Sequence, residues 1–277
     1  MKHMIDKKAL FISYDGTLFH GFQVQGDLRT VQKEILDCME KQSALTNEAK
    51  LTYSGRTDAG VSALWQTISF FIKDEALQSF LQCLSAKKGI LVWGLREKLS
   101  FEFHASRSAI YRDYVYIDAI DNYACADVDF LQLLSNKISR IRNYFFLYKD
   151  WMNPPYGSEW RILYFIRVLS WESHVVIHVR GEGFSWNMVR RIVDFLRKAR
   201  CGCDLTECIE KWVPGTAEPQ HLFLVGVKYP ITPKLIVKPS EIIDKTFRYS
   251  RIRFSVLNVL KSFLSTDQLV YSLYSLA

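Results

Sequence analysis

Six consecutive positions, Gly55 to Gly60, carry a guanidinium, a carboxylate and two glycines, reading Gly-Arg-Thr-Asp-Ala-Gly within YSGRTDAGVSALWQTISFF at 53–71. A turn between strands uses an acidic residue that bonds nearby backbone and a glycine that supplies positive φ. Arg56 beside Asp58, with both Gly55 and Gly60, exceeds that need. The stretch therefore reads either as a plain connection or as a loop that presents a carboxylate for chemistry. Other chemistry-bearing residues are scattered. His174 and His178 share one face of a strand without a carboxylate or cysteine to complete a site, so no metal is assigned to them. Cys38, Cys83, Cys125, Cys201, Cys203 and Cys208 show no zinc-like spacing and follow no secretory leader, and they are expected to be reduced thiols in a cytosolic protein.

The loop must be positioned by the elements around it. Alternation predicts a strand from Ala9 to Tyr14, and Thr30 caps a helix with Val31, Ile35, Cys38 and Met39 at helical spacing. Lys50 to Ser54 and Gln66 to Ile72 read as strands on either side of the loop. A helix through Ala76, Phe80 and Leu84 and a strand from Ile90 to Gly94 follow. The order β-α-β-β-α-β then recurs: strand Tyr111–Asp118, helix Asp127–Ile138, strands Ile162–Trp171 and Val175–Arg180, helix Ser185–Arg200, strand Leu222–Lys228. A helix at Asp204–Trp212 and a loop around Asn153 to Gly157 decorate this plan.

The fold class expected is α+β: two tandem split β-α-β (ferredoxin-like) halves forming a largely antiparallel mixed sheet with helices packed on it. The divisions are 1–103, 104–234 and a basic then apolar extension, 235–277, which reads either as an amphipathic helix docked on the body or as a partner-binding tail.

Composition narrows the partner. A hydrophobic content of 49% over 277 residues builds a core rather than a disordered chain, and no apolar run is long enough to span a bilayer. Lys and Arg total 36 against 29 Asp and Glu, and the resulting +7 favours a polyanion such as nucleic acid.

Several blocks together closely resemble the tRNA pseudouridine synthase A family. They are YDGTLFHGFQ (14–23), TVQKEI (30–35), GRTDAGV (55–61), FEFHASRSA with YRDYVY (101–116), GFSWNMVRRIV (183–193) and HLFLVGVKYP (221–230). They occur in the family's order and spacing over about residues 9–230. The resemblance implies a pseudouridine synthase fold, a cytoplasmic homodimer, no metal or organic cofactor, and isomerisation of uridine to pseudouridine on the 3′ side of the tRNA anticodon stem-loop. The isomerisation breaks the glycosidic bond, turns the held uracil and rejoins it through carbon five. Asp58 is the implied carboxylate, and attack on the anomeric carbon, attack on carbon six and glycal formation all remain open.

Closing a site over a base raises a carboxyl pKa, and by resemblance the Arg190 guanidinium opposes that. Tyr114 aligns with the family's active-site tyrosine, which packs on the base; such stacking is worth roughly 1–3 kcal/mol, comparable with the cost of extruding a nucleotide. Arg56 would fill the gap left by the extruded base, Gly55 and Gly60 would let backbone approach RNA, and His104 and Arg107 would meet the RNA. Leu222 matches an apolar residue near the family's site, and Phe184 and Trp186 are expected in the core.

The chain departs from the family pattern at Ser106–Arg107, where arginine usually follows His-Ala directly, and at Asp194, His221 and SALWQ (62–66). In extended chain the shift at Arg107 would point its guanidinium to the other side. Two further readings fit the same residues: a non-catalytic tRNA-binding clamp or chaperone, and a base-releasing RNA glycosidase, although the latter usually needs two facing carboxylates.

Overall fold

The computed structural model describes residues 5–41, 51–140, 161–213 and 215–266; the loop expected at 153–157 lies outside them. The elements in chain order are β1 (Ile5–Tyr14), α1 (Val31–Lys41), β2 (Thr52–Tyr53), β3 (Ser62–Lys73), α2 (Asp74–Ser85), β4 (Ile90–Arg96), β5 (Tyr111–Ala119) and α3 (Val128–Ser139). After these come β6 (Leu163–Trp171), β7 (His174–Gly181), α4 (Met188–Lys198), α5 (Leu205–Lys211), β8 (Leu222–Lys228), β9 (Lys234–Leu235), α6 (Pro239–Thr246) and α7 (Phe254–Thr266). The chain divides into two units, one of Met1–Ile110, Leu224–Ile252 and Leu264–Ala277, the other of Tyr111–Phe223 and Arg253–Phe263. The class is α+β, with largely antiparallel sheet and helices packed on it.

In the first unit the strands bond in the order β8-β3-β1-β4-β9, with β2 alongside β3. β1 runs antiparallel to both neighbours, Leu10 opposite Ile68 and Phe11 opposite Gly94. Both faces of β1 are buried, so the strand read from alternation proves apolar at successive positions, Ala9 to Ile12, instead. On the Leu10 face, Phe70 of β3 meets Phe80 of α2 edge-on at 5.3 Å. On the Phe11 face, Trp65 and Trp93 lie 6.0 and 5.5 Å from the Phe11 ring. There α6 adds a 2.6 Å hydrogen bond between the Thr246 and Ser13 hydroxyls.

In the second unit the order is β6-β7-β5, with Asp113 opposite Arg180 and Tyr114 opposite Val179. The Asp127 side chain caps α3 by accepting from the Phe130 amide at 3.1 Å. One apolar stripe of α4, including Val189, Ile192, Val193 and Leu196, is buried. Phe263 of α7 lies against His178 and Trp171, with centroids 5.8 and 6.2 Å apart.

Two expectations change, and one that was left open is decided. The cysteines are not reduced thiols: they pair as Cys38–Cys83, Cys125–Cys201 and Cys203–Cys208. Spacing along the chain conceals this, because packing brings the Cα atoms to 5.8, 5.1 and 6.0 Å, within bridging range. α4 begins at Met188 rather than Ser185, because Asn187 sits in the left-handed region at φ 56° and starts the helix there. Among the described residues the extension past Pro233 folds into two helices, α6 starting on Pro239 and α7 burying Val256, Val259, Leu260 and Phe263.

Candidate active site

In the first unit the Gly55–Gly60 loop leaves β2 and enters β3 over a buried polar scaffold. The Gln66 amide on β3 donates to the Gly55 carbonyl at 2.7 Å, and its oxygen accepts from the Ser54 amide at 3.1 Å and from the Ser54 hydroxyl. Tyr14 on β1 shares a 2.7 Å hydrogen bond with the Thr57 hydroxyl, and the Phe22 amide donates to the Thr57 carbonyl at 3.1 Å. Tyr14, Ser54, Thr57 and Gln66 are all buried, whereas Asp58 between these anchors is half-buried and Arg56 is exposed. The Val61 amide closes the turn onto the Asp58 carbonyl at 3.1 Å.

Gly60 takes φ +85°, as a turn of this kind needs, while Gly55 is not among the left-handed glycines. A third glycine matters more than the sequence suggested: at Gly21 a Cβ would come within 3.1 to 3.3 Å of Thr57 oxygen, Ala59 nitrogen and Asp58 carbon. The chain preceding α1 thus packs directly on the backbone that carries the carboxylate.

His104 and Arg107 belong to this unit too. The segment is a turn and not extended chain, with the Ser108 amide bonded to the His104 carbonyl at 2.8 Å. The side alternation of extended chain therefore does not govern where the shifted arginine points. Its own amide and that of Ser106 donate to His104 Nδ1 at 3.4 and 3.2 Å. Burial, then the charges of Arg107 and Lys7, hold the His104 pKa below 6.5.

In the second unit Tyr114 is buried on β5, its ring edge-on to Phe184 at 5.0 Å. Phe184 is half-buried, but Trp186, expected in the core, is 57% exposed with the Arg191 guanidinium 5.8 Å from its ring. Arg190, in the first turn of α4, donates Nε to the Ala217 carbonyl at 2.7 Å and Nη1 to Asn187 Oδ1 at 3.0 Å. The Ala217 amide returns a bond to the Arg190 carbonyl at 3.0 Å, so helix and following segment are laced together. Leu222 is buried at the start of β8.

Sequence reasoning missed the clamp further along the same helix. Arg197 bonds Asp118 Oδ2 and Glu218 Oε2, each at 2.6 Å, and donates to the Tyr116 hydroxyl at 3.0 Å. Asp118 and Tyr116 are fully buried, and burial raises the Tyr116 pKa, keeping it a neutral phenol. Asp118 and Arg197 are 79 residues apart, a pairing that no local pattern announces. It fixes α4, which carries Arg190, to β5, which carries Tyr114. His178, which seemed to lack a carboxylate, has Asp113 at 2.8 Å, and Arg180 grips the same carboxylate at 2.8 and 2.9 Å.

No family model matches the chain. It is 33% identical over 261 residues to "tRNA pseudouridine synthase A" of Pyrococcus horikoshii, covering 87% of this chain and 94% of the relative. It is 32% identical over 229 residues to the protein of the same description from Methanocaldococcus jannaschii, covering 80% and 84%. With two successive β-α-β-β-α-β runs and a buttressed acidic loop on the β2–β3 connection, the chain is an isomerase of the pseudouridine synthase class. It belongs to the tRNA pseudouridine synthase A family.

Proposed function

We propose that the protein isomerises uridine to pseudouridine in transfer RNA, at uridines on the 3′ side of the anticodon stem-loop, with Asp58 as the carboxylate that initiates glycosidic cleavage. The observation that carries this reading is the loop itself: four buried polar side chains hold the segment that leads into a half-buried Asp58, and the Val61 amide closes the turn after it. A carboxylate so mounted is fixed in place before substrate arrives, which is where positional catalysis gains its rate. Residues 1–103 supply Asp58 and Arg56; residues 104–234 supply Tyr114 against the base and Arg190 as the cation that favours ionised Asp58. Arg56 takes the place of the extruded base, Gly55 and Gly60 admit the RNA backbone, His104 and Arg107 contact the RNA, and Leu222 lines the site. The protein works as a homodimer in the cytoplasm. Because the isomerisation neither gains nor loses atoms, the reading invokes no cofactor.

The test uses tRNA tritiated at uracil carbon five. Wild-type protein is expected to release tritium to water, and to leave the mass of unlabelled tRNA unchanged. Asp58→Asn should abolish release while still binding tRNA. Release that survives Asp58→Asn, or the appearance of free uracil, overturns the assignment.

A further inference from the structure

One surface of the first unit, around Lys7 and Phe101 and beside the RNA-contacting His104 and Arg107, takes no part in the glycosidic chemistry above. Lys7 of β1 stands opposite Phe71 of β3, with Nζ 5.1 Å from the Phe71 ring and 5.7 Å from the ring of Phe101. The two rings lie 5.1 Å apart, and Phe101 is 71% exposed. This is a built platform. Lys7 Nζ donates to the Phe101 carbonyl at 2.6 Å, and the Leu99 amide donates to the Lys7 carbonyl at 2.9 Å. Beyond Phe101, Phe103 is buried against Tyr229 at 5.5 Å, and the Ala105 amide is held by the Thr52 hydroxyl at 3.1 Å.

Lys7 stands over the exposed ring, and Arg107 and His104, a few residues further along the chain, lie within electrostatic reach of Lys7. Among the described residues neither Lys7 nor Arg107 forms an ion pair with a carboxylate. They crowd each other instead, since Arg107 adds to burial in lowering the Lys7 pKa. Uncompensated cations near an uncovered ring suit a partner that brings both negative charge and a flat π face. An unpaired nucleotide does so, whatever its base.

The place is distinct from the Asp58 loop. Tyr14, which anchors Thr57 beside Asp58, and Lys7 are seven residues apart on β1, roughly 23 Å along the strand.

We propose that Phe101, with Lys7 over its ring and His104 and Arg107 within reach of Lys7, is a second RNA subsite, where an unpaired nucleotide remote from the reacting uridine stacks on the ring and its phosphate meets the cations. This rests on the tRNA-modifying reading, and the experiment separates the two. Tritium release by wild-type protein is measured first, and its absence removes that reading. With release intact, tRNA affinity is measured against salt for Phe101→Ala, Phe101→Tyr, Lys7→Gln and, as a surface cation already paired with Glu207, Lys211→Gln.

Phe101→Ala should weaken binding roughly 5- to 100-fold with an unchanged salt slope, and Phe101→Tyr should restore it. Lys7→Gln should reduce the slope by about one, and Lys211→Gln should not. Equal thermal midpoints for the Phe101 variants and wild type exclude misfolding as the cause. Unmoved affinity in Phe101→Ala, a Lys7→Gln slope no different from that of Lys211→Gln, or a platform that binds a protein instead overturns the subsite.

Discussion

Gln66 illustrates what single residues do here. It is fully buried, and its amide serves the Gly55 carbonyl and the Ser54 amide at once. Gln66→Leu keeps the approximate size but removes the donor to the Gly55 carbonyl and the acceptor of the Ser54 hydroxyl, while the Ser54 amide keeps its bond to the Thr67 carbonyl; a polar group left unsatisfied costs about 1–3 kcal/mol. The expected outcome is a loss of roughly 2 kcal/mol or more by urea titration. Single-turnover kcat should fall roughly 10- to 100-fold, because a carboxylate displaced by an ångström forfeits that much, while the dissociation constant for tRNA stays close to wild type. The loop was legible in the sequence because Gly-Arg-Thr-Asp-Ala-Gly concentrates unusual residue types within six positions. Its supports were not. Tyr14, Ser54 and Gln66 are polar residues in or beside strands, and only the registers of β1 and β3 reveal that all three point at one loop.

Among the elements, α4 depends most on distant partners. Its amphipathic stripe was plain in the sequence, but its start was not, because a left-handed Asn187 has no periodic signature. Nor was its anchor. Arg197→Leu would leave the buried Asp118 carboxylate without its guanidinium, and breaking a buried pair in this way costs about 3–5 kcal/mol. The chemical-denaturation midpoint should fall accordingly, with Arg197→Lys intermediate because an ammonium cannot reproduce the fork.

His221 lies next to this network, its ring 6.0 Å from Tyr116. Burial foremost, with Arg197 and Arg253, outweighs Asp118 and Glu218 and holds its pKa below 6.5. The unfolded chain therefore takes up that proton first. Stability is complete above pH ~6.5 and declines as pH falls through the unfolded value toward the depressed folded one. His104 contributes in the same direction. Melting curves from pH 7 to 5 should show the decline, and His221→Gln should make it shallower without removing it.

At the level of the whole molecule, the three disulfides separate what sequence could and could not tell. The repeated β-α-β-β-α-β order was readable because periodicity is local, whereas pairing across 45 and 76 residues is a property of the assembled packing. In the chain-entropy account those two closures stabilise by roughly 4 kcal/mol each, and the five-residue Cys203–Cys208 closure by roughly half as much. Reductant should therefore lower the thermal midpoint substantially. Cys38→Ser with Cys83→Ser should reproduce a large part of the drop, and Cys203→Ser with Cys208→Ser a smaller part.

The first unit is assembled from separated stretches of chain, with Leu224–Ile252 contributing β8 and β9 to its sheet and α6 to one face. During synthesis on the ribosome, the strands beside the Asp58 loop emerge early and must wait with an open sheet edge until more than a hundred further residues have been translated. The acidic loop is complete in sequence almost at once but gains its full surroundings only near the end of translation. A message truncated before β8 would thus yield a sticky fragment rather than a weak enzyme.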